Sequence, residues 1–301
     1  MSFRFSIPLL VLGSFCFGQQ TPVFSEYNYN PFIINSAHAG SLQSPEISLA
    51  HSGFFSKIDG SPKSSSFSFR TSLSNRNMGL GGGLIHDEIG VTTSTSAFAA
   101  YSYRIPLDLD DEPYWKVQEP TGISFGLTFG LQKYQENLVG LGLGTDPLLA
   151  ENINATLPIV GAGIVLNYAK FYIGFSTPNL LGDRFASEDN LDLRSPYYAY
   201  TGYRFYFSRF ENVLLKPNVL LKYEKGAPIQ ADLNVSFTIN SKFEFGLGYR
   251  TNASLNLLVG TYLFDSLRLV YSYNVAGKEL TIGNTHGLSL NFRFNRGFEA
   301  N

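Results

Sequence analysis

From about residue 46 onward, apolar and polar residues alternate along the chain. Residues 229–240 show it most clearly. Ile229, Ala231, Leu233, Val235, Phe237 and Ile239 fall on one parity, with Gln230, Asp232, Asn234, Ser236, Thr238 and Asn240 on the other. Residues 123–132 repeat the pattern, setting Ile123, Phe125, Leu127, Phe129 and Leu131 against Ser124, Gly126, Thr128, Gly130 and Gln132. Successive side chains on a strand point to opposite faces, so alternation at this length predicts strands with one apolar and one polar face. About fourteen such segments are predicted, near 46–56, 63–74, 77–86, 92–105, 121–134, 158–169, 170–177, 196–208, 212–224, 228–240, 242–251, 253–264, 266–275 and 286–296. No segment carries a convincing helical period.

Soluble sandwiches and membrane barrels both alternate, so the placement of charge decides between them. Arg70, Arg104, Arg204, Lys216, Lys222, Arg250, Arg268 and Arg293 all fall on the polar parity, as do Glu224, Asp232 and Glu244. A basic residue facing lipid at the midplane costs roughly 2–4 kcal/mol, so a barrel requires this segregation. Lys133 breaks the parity, but at a strand end, where a long side chain can snorkel. Aromatic pairs such as Tyr101 and Tyr103, Phe205 and Phe207, and Phe292 and Phe294 crowd the apolar-face strand ends, where interfacial girdles belong. The fold predicted is all-β: a transmembrane antiparallel β-barrel over residues 46–301. With both termini periplasmic, the long loops 135–157 and 178–195 lie outside and the turns inside are short, apart from 106–120.

Composition agrees with this reading. Only 15% of the 301 residues are charged, against about a quarter in a soluble domain. A net charge of −2 leaves no electrostatic footprint for nucleic acid, and one cysteine excludes a disulfide or zinc framework. Residues 1–18 read as a secretory signal: Arg4, then the apolar run Ile7–Leu12, then small residues Cys16 and Gly18 before the cleavage point.

Little supports catalysis. His51-Ser52 and His86-Asp87 offer base and nucleophile types, but neighbours on a strand face opposite ways. No metal-ligand spacing and no cofactor motif appears, so no catalytic residue, metal or cofactor is expected. The glycine runs at 79–83 and 140–144 open no helix. Gly81 and Gly83 instead suit close approach by another segment. The acidic run 107–113 reads as a solvated turn or a face toward basic periplasmic partners.

Between signal and barrel, residues 19–45 fit neither strand nor helix, yet Phe24, Tyr27, Tyr29, Phe32, Ile33 and Ile34 are too apolar for solvated disorder. A packed leader lying in or under the lumen is expected. Gln19, Gln20, Pro22, Phe24, Ser25, Tyr27, Asn30, Pro31, Asn35, Ala37, Ala39 and Gly40 stand in the register of one family's opening motif. Further blocks follow in order at 58–63, 77–81 and 86–90. In these the chain resembles the PorP/SprF outer-membrane proteins of type IX secretion and gliding systems. The specific likeness covers residues 19–105, with departures at Glu26, at Ser36 and at His38, where the family has Tyr. The resemblance implies a barrel in the bacterial outer membrane that partners with large secreted surface proteins, such as adhesins, in their export or retention. It also implies, for some members, association with periplasmic secretion-ring proteins.

Leu141, Leu143, Leu148, Leu149, Leu180 and Leu181 make the two long outer loops unusually apolar, as a docking mouth for the cargo's C-terminal domain would be. The competing expectation is a transporter or diffusion channel for small solutes, hydrophobic ones included, with the leader as hatch. A secreted soluble β-protein is the third.

Overall fold

The structure is a computed structural model that describes residues 25–53, 60–73, 77–107, 121–141, 151–182, 194–207, 213–240, 242–251, 254–276, 284–295 and 297–298. The signal, most of the acidic 107–113 run and the 142–150 and 183–193 loop segments lie outside them.

The strands are β1 (Glu46–Gly53), β2 (Lys63–Ser72), β3 (Met78–Ile89), β4 (Thr92–Pro106), β5 (Gly122–Glu136), β6 (Ile153–Tyr168), β7 (Phe171–Thr177), β8 (Tyr197–Tyr203), β9 (Phe205–Phe207), β10 (Val213–Tyr223), β11 (Gln230–Ile239), β12 (Phe243–Arg250), β13 (Ser254–Leu263), β14 (Leu267–Ala276) and β15 (Thr285–Arg293). Neighbours pair antiparallel, and β15 pairs back onto β1, so the sheet closes. Both β8 and β9 pair with β10 and are parted only by Arg204, so the 15 strand segments form 14 staves. This is the barrel that the alternation predicts. Inside a bilayer every backbone N–H and C=O must be satisfied by protein, and a closed ring leaves no edge to fail that test. Among the described residues no helix is long and apolar enough to cross a membrane. The crossing falls to strands.

The faces are sorted as in a membrane protein. Leu127, Phe129, Leu131, Phe237 and Leu247 point outward and are exposed, while Arg70, Asp232, Glu244, Arg268 and Arg293 point inward and are buried. Lys133 lies on the outer face between Thr95 and Thr156, beyond the apolar band.

At the end opposite the termini, called here the loop end, the rim is uneven. The β4–β5 ladder runs to Thr92↔Glu136 and the β5–β6 ladder to Glu136↔Ile153. The β6–β7 ladder stops at Ala162↔Thr177. Strand β6 has 16 residues and β7 only 7, so β3–β6 stand above their neighbours as a tall wall. This corrects the expected 135–157 loop and the expected end of the third strand near 86. Residues 135–136 and 153–157 belong to strands rather than to a 135–157 loop, and β3 continues to Ile89. The reason is visible in the outward residues Thr93, Thr95, Lys133, Gln135, Asn154 and Thr156. Past the apolar band the outward face turns polar, while on β6 the apolar Ile153, Ala155 and Leu157 face inward around Tyr134, so the lipid-facing parity ends though backbone pairing goes on.

Candidate functional site

Residues 25–44 run through the barrel interior in three short 3-10 turns, Ser25–Asn28, Pro31–Ile33 and Ser36–His38. Local sequence explains them. Pro31 presets the first residue of its turn, and Asn35 caps the next, its side-chain oxygen accepting from Ala37 N at 2.9 Å. Asn30 donates to Ser68 Oγ on β2 at 2.9 Å, and Gly40 N donates to Ser102 Oγ on β4 at 3.0 Å. Lys216 on β10 donates to Asn28 O at 2.9 Å, and Asn234 on β11 donates to the Tyr27 hydroxyl. The Arg268 guanidinium of β14 lies 5.2 Å from the Tyr29 ring centre. Partners on strands so far apart around the ring place the segment across the lumen.

Its most connected point is Asn35, only 1% exposed. Asn35 Nδ2 lies 2.9 Å from the Tyr200 hydroxyl on β8, 3.2 Å from Ile164 O on β6 and 3.3 Å from Phe175 O on β7. The same Tyr200 hydroxyl is hydrogen-bonded to His38 Nε2 at 2.6 Å, where the family has Tyr in place of His38. Around this polar chain Ile33, Ile34, Val165, Tyr198 and Leu220 form an apolar cluster.

Inward glycines receive the leader's backbone. A Cβ on Gly126 would stand 2.1 Å from Ala37 N, and one on Gly79 would stand 2.1 Å from Gly40 N. No other residue fits either place without displacing the leader. Gly81 meets the leader too, facing the Phe32 ring. Gly83 does not: its neighbours are Phe67 O and Phe98, both from the barrel, so the expectation for it is corrected.

Ion pairs line the lumen at both ends, around Glu46 and Glu244 toward the terminal end and around Asp232 and Glu224 toward the loop end. Glu46 on β1 binds Arg70 of β2 at 2.6 Å and Arg293 of β15 at 2.9 Å, spanning the seam where the ring closes. Asp232 takes Arg250 through two bonds of 2.8 Å, Lys222 pairs with Glu224 at 2.9 Å, and Arg268 pairs with Glu244. Buried charge is tolerated because each is paired.

The leader divides the interior. On the loop side lies a cavity of about 490 Å³, and on the terminal side one of about 170 Å³ bordered by Arg70, Arg204, Lys216, Arg268 and Arg293. Ile34 belongs to both walls.

Of the residues expected from the leader motif, Tyr27, Asn30, Asn35 and Ala37 are buried here and Pro31 and Gly40 half-buried, while Phe24 lies outside the described residues. Among the loop leucines, Leu180 is 45% exposed and Leu181 half-buried, with Leu180 N donating to Val160 O at 2.6 Å. Leu141 ends a 3-10 turn, and Leu143, Leu148 and Leu149 lie outside the described residues. His51 faces outward, bonded to Ser65 at 2.9 Å. His86 bonds outward to Thr95 at 2.8 Å, whereas Asp87 turns inward to Ser64 at 2.5 Å, so the two are on opposite faces. No group of three metal-ligating side chains occurs among the described residues. Sequence reasoning missed Tyr200, Gly126 and Gly79 as leader contacts. Their only signal was a small or tyrosyl residue on the inward parity.

Residues 16–292 match the family described as Type IX secretion system membrane protein PorP/SprF. The chain belongs to the PorP/SprF family. The match extends from the leader through the last strand, well past the 19–105 blocks. This PorP/SprF protein is therefore a type IX secretion barrel of the outer membrane. No curated protein matches it. Similar solved structures include Omp33 of Acinetobacter baumannii, at 10% identity and TM-score 0.49, covering 85% of this chain and 100% of that one. The toluene transporter TodX of P. putida shares 8% identity at TM-score 0.49, covering 88% and 94%. A FadL homologue of Pseudomonas aeruginosa shares 10% at TM-score 0.46, covering 87% and 93%.

Proposed function

We propose that this PorP/SprF protein is a plugged, non-catalytic barrel that holds large type IX cargo, such as adhesins, at the cell surface during or after export. The observation that carries the reading is the leader, residues 25–44, packed across the lumen by contacts to strands on all sides. A lumen so filled offers no path for a polypeptide, so the barrel serves as a fixed partner rather than a conduit. Its docking mouth is the loop end, turned outward, where the sequence puts Leu141, Leu143, Leu148, Leu149, Leu180 and Leu181 in the connections that follow β5 and β7. The terminal end then faces the periplasm, where ring proteins of the secretion machine are its other partners. Residues 19–45 act as the plug and 46–301 as the barrel proper. Replacing the loop segments 137–152 and 178–195 with Gly/Ser linkers releases cargo into the medium. Surface cargo left unchanged by that swap contradicts the reading.

A second reading, transport of small hydrophobic solutes, draws support from the 490 Å³ cavity at the loop end with Phe32, Ile85, Phe98 and Ile159 on its walls. It requires a leader that moves aside, and therefore purified barrels that conduct.

A further inference from the structure

The loop-end cavity contains a carboxylate that the docking role leaves unused. Leader residues Phe32, Ile33 and Ile34 form its floor, and Ile85, Phe98 and Ile159 its apolar walls. Its volume of about 490 Å³ falls in the size range of small-molecule sites. Asp87 opens onto it from β3 while only 8% exposed. One of its oxygens accepts from Ser64 Oγ at 2.5 Å; no described residue bonds the other.

The contrast with the remaining lumen acids is instructive. Glu46, Glu224, Asp232 and Glu244 each face an Arg or Lys partner. Among the described residues no Lys or Arg side chain pairs with Asp87. Arg194, on the cavity rim, is turned to Lys225 O, and Glu136 is taken up by the Tyr134 hydroxyl. An ionised carboxylate removed from water without a cation is unfavourable, so the site favours a ligand that brings one.

A second cavity bears on the ligand's other half. On the outward face, Phe125, Phe175 and Leu221 border an apolar notch of about 590 Å³. It shares Ala162, Thr177 and Tyr198 with the inner cavity, where the β6–β7 ladder stops. Ala162, Thr177 and Tyr198 thus stand between the lipid side and the inner cavity.

We propose that the loop-end cavity binds a cationic amphiphile, its ammonium head paired with Asp87 and its hydrocarbon chain lying among Phe32, Ile85, Phe98 and Ile159. The site lies beneath the proposed docking mouth, with Pro178, Asn179 and Arg194 of the 178–195 segment on its rim, and takes a small molecule instead of cargo. The chemistry admits two sources, an amphiphile of the outer leaflet or a soluble alkylamine.

The test uses the full-length barrel in lipid nanodiscs with a diazirine-bearing decylamine, and the matching decanoate as control. After irradiation, the amine probe labels peptides carrying Ile85, Phe98 or Ile159, and the decanoate labels them weakly. Asp87→Asn keeps the side-chain shape and lowers amine labelling at least about tenfold, the loss expected when a charge-assisted bond is removed. Ile159→Trp fills the cavity and abolishes it. Equal labelling by the two probes, labelling unchanged in Asp87→Asn, or label confined to outward Phe175 and Leu221 overturns the proposal. Ala162→Phe separates the sources: it blocks a bilayer-confined hexadecylamine probe if the ligand arrives from the membrane, and spares labelling by a water-soluble butylamine probe if the ligand is soluble.

Discussion

Asn35 and Tyr200, 165 residues apart in sequence, meet at 2.9 Å in the middle of the barrel. One belongs to the leader and the other to the inner face of β8, so this bond ties the plug to the wall. Tyr200 also reaches His38, at 2.6 Å, so a single hydroxyl holds both ends of the Ser36–His38 turn.

Tyr200→Phe removes both bonds and leaves Asn35 and His38 short of a partner in a buried place. A buried polar group left unsatisfied costs about 1–3 kcal/mol. The expected outcome is a leader that becomes susceptible to protease in otherwise intact barrels. Limited proteolysis of purified protein, followed by N-terminal mapping, reads it directly.

Gly126→Val places side-chain atoms where Ala37 N now lies, 2.1 Å from the position of a Cβ. Its ladder partners, Ser102 and Gly163, are small, so the barrel strands still pair. Planar-bilayer recording should therefore show steady conductance in Gly126→Val and none in the parent. Gly83→Val, which meets only barrel atoms, is expected to disturb assembly without unseating the leader.

Glu46→Gln withdraws the shared carboxylate from Arg70 and Arg293, at 2.6 Å and 2.9 Å, and leaves two guanidinium groups buried together. Breaking a buried pair on one side costs roughly 3–5 kcal/mol. Because the pair spans the β1–β15 seam, the loss should appear as a lower urea midpoint for barrel opening in detergent, measured by heat-modifiable gel mobility. The triple variant that also carries Arg70→Met and Arg293→Met should recover much of it.

Leu127→Arg tests the outward face. Leu127 is exposed on β5 amid Tyr101 and Ala162, within the apolar band. A basic residue near the midplane costs about 2–4 kcal/mol, whereas Lys133→Arg, beyond the band, is expected to be neutral. Comparing folded yields in liposomes distinguishes the two positions.

How much of this was legible follows from where water and lipid act. Lipid imposes one apolar parity, so β5 and β11 can be read from Phe125–Leu131 and Leu233–Ile239 without any structure. That constraint ends above the band, and so β6 is read as beginning near 158 when it begins at Ile153. Parity sends Arg70, Arg293 and Glu46 inward, but their pairing depends on the closing register Glu46↔Arg293, which joins the two ends of the barrel. The leader's burial is foreshadowed by Phe32, Ile33 and Ile34. Its seats at Gly79 and Gly126 are not, because an inward glycine looks in sequence like any other small lumen residue. The loop leucines announce an apolar mouth, and Leu180 and Leu181 are the two whose surroundings are described.

The most direct test of the account is gentle extraction of a C-terminally tagged copy from the native outer membrane of cargo-secreting cells, with quantitative mass spectrometry of what accompanies it. The account predicts a large type IX secreted protein at abundance comparable to the barrel, lost when the 137–152 and 178–195 segments are replaced by Gly/Ser linkers. A clean barrel without such a partner contradicts it.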